Sequence, residues 1–305
     1  MPTPEQIAEN ERNCAIARGI YFNSRDAEVS RSDWHAALKD ARGTIADALR
    51  ASDYLRNPSA ALQRSGFHMA AFRNLLAPPC SQDQFRILCG SWPKASEKSG
   101  SPLKSETADE VEAVLKEWFD PAAAPWIAHD RNPTRPELRT ALQRASAFIA
   151  LQRFQTVQRS RISEQQESAV IGLLTSLGWT KLPSRMIDTR AAVDKKTFMH
   201  KTRFATATTT SQEVDIACGL GGTVVAAIEC KVTNDETNSV KRINDVLKKA
   251  AAWHAHWGSF VETVAVLQGV IAPKDVHRLS DERVHVFWSH DLEHFSSWIE
   301  KRLAS

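Results

Sequence analysis

The sequence predicts an α/β (α+β) fold, with a mixed central sheet flanked by helices and a mainly helical region before it. Apolar residues recur at helical spacing through the first half of the chain. From about residue 160, apolar runs of strand length alternate with helical segments. A chain of 305 residues is long for one domain. We therefore expect a helical region at 1–160 and a sheet-containing core at 161–305.

Four helical segments are predicted in the first half, separated by loops rich in proline and serine. They lie around 32–52, 57–77, 106–119 and 135–160. This half of the sequence contains no P-loop, no zinc-ligand cluster and no internal repeat. The residues of this half alone therefore predict no catalytic or metal-binding site.

A further helix is predicted to begin at Ser163, because Ser163 followed by Gln166 has the spacing of a capping box. The helix ends at Gly178, and its apolar stripe consists of Val170, Leu173, Leu174 and Leu177. Glu167 lies three residues before that stripe, which places it on the inward edge of the helix. Glu167 is a candidate for an extra acid at a functional site, or it has a plain structural role.

Two strands joined by a glycine-rich turn, Gly219 to Gly222, are predicted next. The first strand ends at Asp215, and the second spans 224–232 and contains Glu229-Cys230-Lys231. Side chains alternate between the faces of a strand, so Glu229 and Lys231 project together, away from Cys230. Two carboxylates and an ammonium group are therefore expected to converge.

The remaining elements complete a mixed sheet. A helix is predicted from Asn238-Ser239 to about Trp257, then strands near 263–268 and 284–288, and a closing helix at 291–303. We assign Lys248 and Lys249 to the solvated face of the first of these helices.

The predicted cluster suits phosphodiester hydrolysis, which needs a hard cation and an activated water. Asp215 and Glu229 are expected to bind Mg²⁺, and the backbone carbonyl of Cys230 could add a third oxygen ligand. Lys231 would orient or help to deprotonate the attacking water and offset the charge that develops on the phosphate. The alternative is a solvated acid and lysine on an edge strand. The apolar run before Glu229 is typical of a central strand and argues against that alternative.

Two regions are candidates for DNA contact. Between residues 181 and 203 there are seven basic residues and two acidic ones, whereas the net charge of the whole chain is only +3. The candidates in this segment are Lys195, Lys196, Lys201 and Arg203, and a solvated basic loop is the alternative. The second region is the helix that is predicted to start at Asn238-Ser239, after the Glu-Cys-Lys strand. Its free backbone N–H groups and Lys241 or Arg242 could hold a phosphate or a base edge, and a basic face that only keeps the helix soluble is the alternative.

Composition indicates an ordinary globular protein, with 42% hydrophobic and 25% charged residues. No apolar stretch is long enough to span a bilayer, and the first residues lack a signal-peptide pattern. The five cysteines have no paired spacing and are expected to be free thiols. These observations predict a cytoplasmic location.

The chain resembles type II restriction endonucleases of the PD-(D/E)xK superfamily, and within them the XamI-like family. The resemblance rests on Gln165-Gln166-Glu167, Val214-Asp215-Ile216, Glu229-Cys230-Lys231-Val232, Thr237 to Arg242, Lys249-Ala250 with Trp253, and Phe287 to Leu292. It implies a restriction-endonuclease-like core with Asp215, Glu229, Lys231 and, more loosely, Glu167 as catalytic residues.

The resemblance further implies a homodimer that uses Mg²⁺ to cut both strands of double-stranded DNA at a short palindrome, alongside a partner methyltransferase. The helical region would then serve DNA recognition and dimerisation. In contrast to the motif that gives the superfamily its name, no proline precedes Asp215.

Two other hypotheses remain open. One is a structure-specific repair or junction nuclease on the same core, although the large helical region fits a restriction enzyme better. The other is a DNA-binding module with an inactive site. The presence of all three motif residues, Asp215, Glu229 and Lys231, counts against the inactive module.

Overall fold

The computed structural model describes residues 3–208 and 210–304. The chain divides into two compact units, one comprising Ala27–Gln158 and the other Met1–Asp26 together with Arg159–Ser305. The sequence had placed the first 26 residues with the helical region. They group with the sheet because Cys14 and Ala17 of the first helix share a hydrophobic core with Ile243 and Ala265.

The bounds of the regular elements in the described ranges are as follows. The helices are α1 Pro4–Asn23, α2 Ala27–Ala51, α3 Pro58–Arg64, α4 Met69–Arg73, α5 Gln82–Leu88, α6 Ala95–Ser99, α7 Ser105–Trp118, α8 Pro125–Ala128, α9 Arg135–Ser176, α10 Glu236–Trp257, α11 Pro273–Asp281 and α12 Leu292–Ala304. The strands are β1 Thr180–Leu182, β2 Met186–Ile187, β3 Thr197–Phe204, β4 Gln212–Gly221, β5 Val224–Thr233, β6 Val261–Gly269 and β7 His285–Trp288.

The helical unit packs around a core that includes the fully buried Phe72, Trp92 and Trp126. The predicted segment 57–77 is not one helix but α3 and α4, separated by a single 3-10 turn that begins at Gly66. A Cβ atom at Gly66 would lie 2.4 Å from the carbonyl oxygen of Ser96. The chain breaks here because only glycine permits this close approach.

Helix α9 is continuous from Arg135 to Ser176, so the predicted helix start at Ser163 is wrong. The Ser163 hydroxyl donates to Glu167 within the helix, at 3.3 Å, instead of capping a terminus. No glycine or proline occurs between residues 137 and 171, so nothing interrupts the helix. Its end is as predicted: Val170 and Leu174 are buried, and Gly178 has a φ of +76°.

The strands of the described residues form one mixed sheet, as predicted, in the order β1-β3-β4-β5-β6-β7, with β2 also paired to β3. Strands β3, β4 and β5 are antiparallel neighbours, whereas β5, β6 and β7 are parallel. The sequence did not predict the short strands β1 and β2, and it gave no bounds for β3. Strand β4 continues to Gly221, so Asp215 lies inside a strand and not at its end, and the turn is shorter than expected.

Helices cover both faces of this sheet and thereby set which side chains of β5 are accessible. Ile228 and Cys230 face a core that includes Val170 of α9 and Phe295 of α12. On the opposite face, α10 contributes Trp253 to a core that contains Ala227. Glu229 and Lys231 therefore lie on the α10 side, in agreement with the predicted alternation.

The described part of the chain has neither a membrane-spanning helix nor a disulfide. None of its helices combines the length and apolarity needed to cross a bilayer. All five cysteines lie in the described ranges and are free, as predicted.

Gly219 allows the segment before β3 to pack directly on β4. Its carbonyl oxygen accepts from the Lys196 backbone N–H at 2.9 Å, and a Cβ atom here would lie 2.1 Å from the Asp194 carbonyl oxygen. We expect Gly219→Ala to lower the free energy of unfolding by about 1–3 kcal/mol. Gly172→Ala in α9 is the control, because no atom lies within 4 Å of its Cβ position. Equal urea midpoints for the two variants would contradict this packing.

Candidate active site

The site forms where strands β4 and β5 separate. Their last residue pair is Ile216 with Ile228, and these two residues are the sequence neighbours of Asp215 and Glu229. Beyond that point the Asp215 carboxylate accepts a hydrogen bond from the Cys230 backbone N–H, with Oδ2 at 2.8 Å. A side-chain oxygen thus takes the role that a strand carbonyl has elsewhere in the ladder. This bond fixes Asp215 beside the Glu-Cys-Lys segment.

Glu229 is fully buried and accepts from two lysines. Lys231 Nζ lies 2.6 Å from its Oε2 atom, and Lys249 Nζ lies 3.0 and 2.9 Å from its two carboxylate oxygens. Burial raises the pKa of Glu229, while the charges of Lys231 and Lys249 oppose that rise. The carboxylate is therefore held in a dry environment under two ammonium groups.

The Lys231 ammonium lies close to Asp215 and Glu229, two of the predicted catalytic acids. It lies 2.6 Å from Glu229 Oε2, 3.9 Å from Asp215 Oδ2 and 3.4 Å from Asp245 Oδ2, and its side chain is only 9% exposed. Burial acts to lower the pKa of Lys231, but the charges of Glu229 and Asp215 outweigh it and raise the pKa above its ordinary value. The lysine is therefore protonated at neutral pH.

Glu167 of α9 contacts a different lysine, Lys201. Its Oε1 atom accepts from Lys201 Nζ at 2.6 Å, and Oε2 lies 2.8 Å from His200 Nε2. The same Lys201 ammonium lies 3.2 Å from Asp215 Oδ1. Glu167 and Asp215 are therefore joined through one lysine, which places Glu167 at the edge of the cluster that the sequence predicted.

The donor chemistry fits a hard divalent cation, with few ligands from the protein. Asp215 and Glu229 offer oxygen only, the type that Mg²⁺ prefers. Within residues 3–208 and 210–304, no group of three or more His, Cys, Asp or Glu side chains is arranged to hold a metal. Lysine ammonium groups contact the carboxylates instead. A cation here would keep several waters, as Mg²⁺ commonly does.

Cys230 could contribute only through its backbone. Its side chain is buried in the apolar core on the other face of β5, and burial raises the pKa of the thiol well above its ordinary value. A protonated thiol is a poor metal ligand. Its carbonyl oxygen remains the candidate that the sequence indicated.

The candidates for DNA contact near α10 differ in how exposed they are. This helix begins at Glu236 with Asp235 as its N-cap, two residues before the predicted start. Ser239 is fully buried and its hydroxyl donates to Asp275 Oδ2 at 3.0 Å, so the prediction of DNA contact is wrong for Ser239. Asn238 and Lys241 are exposed, and Arg242 is half-buried.

The candidates between residues 181 and 203 also differ from one another. Lys195 and Lys196 are exposed. Arg203 bonds to Ser211 and lies 3.3 Å from Glu213, so its charge is partly compensated. Lys201 belongs to the carboxylate cluster and not to a continuous basic track.

Comparison with known proteins places this geometry in a family. The sequence profile of the XamI restriction endonuclease family matches residues 44–288, well over half of the chain. The chain belongs to the XamI restriction endonuclease family. The matched range contains Glu167, Asp215, Glu229 and Lys231.

The type II restriction enzyme XamI of Xanthomonas campestris pv. amaranthicola is 32% identical over 195 residues, which cover 62% of this chain and 67% of that enzyme. The crystal structure of protein VC1899 from Vibrio cholerae is similar over 87% of this chain and 57% of that chain, with a TM-score of 0.32 and 11% identity. That structural similarity is too low to bear on the argument.

Membership of the XamI family confirms the predicted enzyme class, a type II site-specific deoxyribonuclease. Restriction enzymes act on double-stranded DNA, and those of type II generally use divalent metal ions.

Sequence reasoning missed three side chains of the cluster, which are His200, Asp245 and Lys249. Lys249 had been assigned to the solvated face of α10, but its side chain is only 14% exposed. The helical spacing did contain a signal: Lys249 lies three residues after Val246 and four before Trp253, and both are buried.

The two neighbouring lysines of α10 form a matched pair for experiment. Lys249→Met removes a partner of Glu229, and we expect DNA cleavage to slow by about 10–100-fold, as for other residues that support metal ligands. Lys248→Met changes an exposed lysine and should leave the rate unchanged. The measurement is the single-turnover cleavage rate. Equal rates for the two variants would show that Lys249 does not support the site.

Proposed function

We propose that the chain is a Mg²⁺-dependent endonuclease that hydrolyses both strands of double-stranded DNA at a short palindrome. The observation that carries the proposal is the shared Lys231 ammonium, which contacts Glu229 and lies within 3.9 Å of Asp215. Family membership supports the restriction activity. The metal, the palindrome and the roles of individual residues belong to the proposal.

The carboxylates of Asp215 and Glu229 are held in position by different groups. Asp215 is fixed by the Cys230 backbone N–H, and Glu229 is fixed by two ammonium groups. Neither carboxylate needs to reorganise when the substrate arrives, and such preorganisation is a main source of electrostatic catalysis. When bound, Mg²⁺ supplies a Lewis acid for the scissile phosphate and lowers the pKa of a water.

Lys231 acts through its charge. Its ammonium group lies 2.6 Å from Glu229 Oε2 and within 3.9 Å of Asp215 and 3.4 Å of Asp245, and these carboxylates favour the charged form. Its N–H groups can orient the attacking water and stabilise the negative charge that develops on the phosphate. Of the two roles that the sequence left open, the environment of Lys231 favours orientation and charge stabilisation over deprotonation.

We propose that the exposed Lys195, Lys196, Asn238 and Lys241, with the half-buried Arg242, contact the DNA backbone, and that Arg203 and Lys201 become available when DNA or metal changes their partners. Ser239 has no part in this contact, because it is buried. We also propose a homodimer, which a palindromic site would match.

The helical region would then serve recognition and dimerisation, and a partner methyltransferase would protect the host DNA. A cytoplasmic location completes the proposal, and the five free thiols support it.

The test is digestion of unmethylated phage DNA by the purified protein, with Mg²⁺ or with EDTA, followed by sequencing of the fragment ends. We expect discrete fragments that share a short palindrome, formed only with Mg²⁺. Cleavage confined to branched substrates would indicate a structure-specific nuclease. Binding without cleavage would indicate an inactive DNA-binding module. Either result would contradict the proposal.

A further inference from the structure

The helical unit contains a basic groove that has no role in the site described above. The groove has a volume of about 430 Å³ and is lined by Arg42, Arg135, Leu138, Arg139, Leu142 and Gln143. All three arginines are exposed, and no carboxylate lines the groove. The groove therefore presents only positive charge to solvent, around two half-buried leucines.

The surrounding carboxylates do not neutralise this charge. Glu137, between Arg135 and Arg139 in sequence, is bonded to Arg131 and to the backbone N–H of Thr134. Asp40, two residues before Arg42, pairs with Arg153. No ion pair with another described residue involves Arg42, Arg135 or Arg139. Arg135 and Arg139 are four residues apart on α9, where like charges face each other and repel. An anionic ligand would relieve that repulsion.

We propose that this arginine groove binds phosphates of the DNA duplex. The inference rests on the proposed function, because DNA is the polyanion that a restriction enzyme must hold. Guanidinium groups suit this ligand, since each presents a planar fork of donors to phosphate oxygens. Phosphate contacts position a protein on DNA without reading sequence. The groove is thus expected to contribute affinity and not site specificity.

The experiment measures how DNA affinity depends on salt. A triple variant of the groove, Arg42→Gln, Arg135→Gln and Arg139→Gln, is compared with a control triple, Arg31→Gln, Arg64→Gln and Arg86→Gln. The control has the same change in net charge at exposed positions outside the groove. Binding to a metal-free duplex is measured at several KCl concentrations. Three lost phosphate contacts should reduce the slope of log K against log salt by about 2–3, and the control by much less.

Equal slopes for the two triple variants would overturn the groove assignment. Cleavage at saturating DNA separates this inference from the proposed function. If the wild type cuts DNA but the groove variant keeps the wild-type slope, only the groove assignment fails. If the wild type does not cut, the proposed function fails independently of the groove.

A second, independent observation concerns Lys201. Its ammonium lies 2.6 Å from Glu167 Oε1 and 3.2 Å from Asp215 Oδ1, so it joins two acids from different elements. The two acids are largely buried, whereas the Lys201 side chain is 56% exposed. Lys201 also has a left-handed φ of +54° inside β3. Such conformations are costly for a residue with a side chain and concentrate at functional sites.

We infer that the Lys201 ammonium occupies the position of a divalent cation between Glu167 and Asp215. It moves out into solvent when the divalent ion binds there. This inference also rests on the proposed function, which supplies the metal. The exposure of Lys201 gives it a path into solvent, which the nearly buried Lys231 and Lys249 lack.

The experiment is calorimetric titration of the DNA-free protein with Mg²⁺. Lys201→Met removes the competing ammonium group. It should tighten Mg²⁺ binding by about tenfold, because Mg²⁺ no longer has to displace a lysine from the two carboxylates. Lys201→Gln, which can still donate to a carboxylate, covers the case in which the methionine variant does not fold. Lys248→Met is the control and should bind like the wild type.

Equal or weaker Mg²⁺ binding by both Lys201 variants would overturn the inference and leave the proposed function standing. No Mg²⁺ binding by any DNA-free form would also overturn the inference, whereas the proposed function fails only if the wild type does not cut DNA with Mg²⁺. Thermal melting provides a readout that does not depend on cleavage. Without metal, Lys201→Met should melt below the wild type, because Glu167 and Asp215 lose their shared partner. Saturating Mg²⁺ should close that gap.

Discussion

Lys231→Met is expected to slow DNA cleavage by about 10²–10³-fold while DNA binding stays close to that of the wild type. The variant removes the ammonium group that touches Glu229 and lies near Asp215. Loss of one preorganised donor to a developing negative charge typically costs about 10²–10³-fold in rate. Single-turnover cleavage and binding of the same duplex without metal are the two measurements.

The structure explains why this variant should still fold. Lys249 remains bonded to both oxygens of Glu229, so the buried carboxylate keeps a positive partner. An unchanged melting temperature would confirm that the lost activity is not a loss of folded protein. Cleavage by Lys231→Met at the wild-type rate would remove Lys231 from the mechanism.

Glu229→Gln should affect both stability and catalysis. The neutral amide leaves the Lys231 and Lys249 ammonium groups close together with little solvent around them. Breaking a buried ion pair by removing one partner costs about 3 kcal/mol. Chemical unfolding should show a loss of that size, and cleavage should fall below detection because a proposed metal ligand is lost.

A second substitution separates the two effects of Glu229→Gln. Adding Lys249→Met removes one of the two ammonium groups that Glu229→Gln leaves without a carboxylate. The double variant should therefore regain stability without regaining cleavage. If the single variant is as stable as the wild type, the two lysines do not depend on Glu229. If the double variant cuts DNA, Glu229 is not needed for catalysis.

The convergence of Asp215, Glu229 and Lys231 could be predicted because it depends on local rules. Alternation along one strand puts Glu229 and Lys231 on the same face. A short turn between neighbouring strands brings Asp215 beside them. The same reasoning gave the mixed sheet and the apolar stripe that ends at Gly178. These features follow from periodicity and chain connectivity, which a single sequence contains.

Other parts of the site depend on packing between distant segments and were not predictable in this way. Lys249 reaches Glu229 only because α10 packs on β5, twenty residues further along the chain. Lys201 contacts both Glu167 and Asp215 from a backbone position with a left-handed φ, which no sequence pattern predicts. The polar residues at Ser163 and Gln166 matched a helix start, but an uninterrupted helix runs through them. For the two lysines, a tertiary contact decided between locally acceptable alternatives.

The most direct test of the active-site assignment compares the wild type with Asp215→Asn on unmethylated phage DNA, across a series of Mg²⁺ concentrations, with fragment ends sequenced. Asparagine retains an oxygen that can accept from the Cys230 N–H but lacks the negative charge. We predict that the wild type produces discrete fragments sharing one palindrome and that the variant, folded and able to bind DNA, produces none. The same fragments at the same rate from Asp215→Asn would contradict the assignment of catalysis to this site.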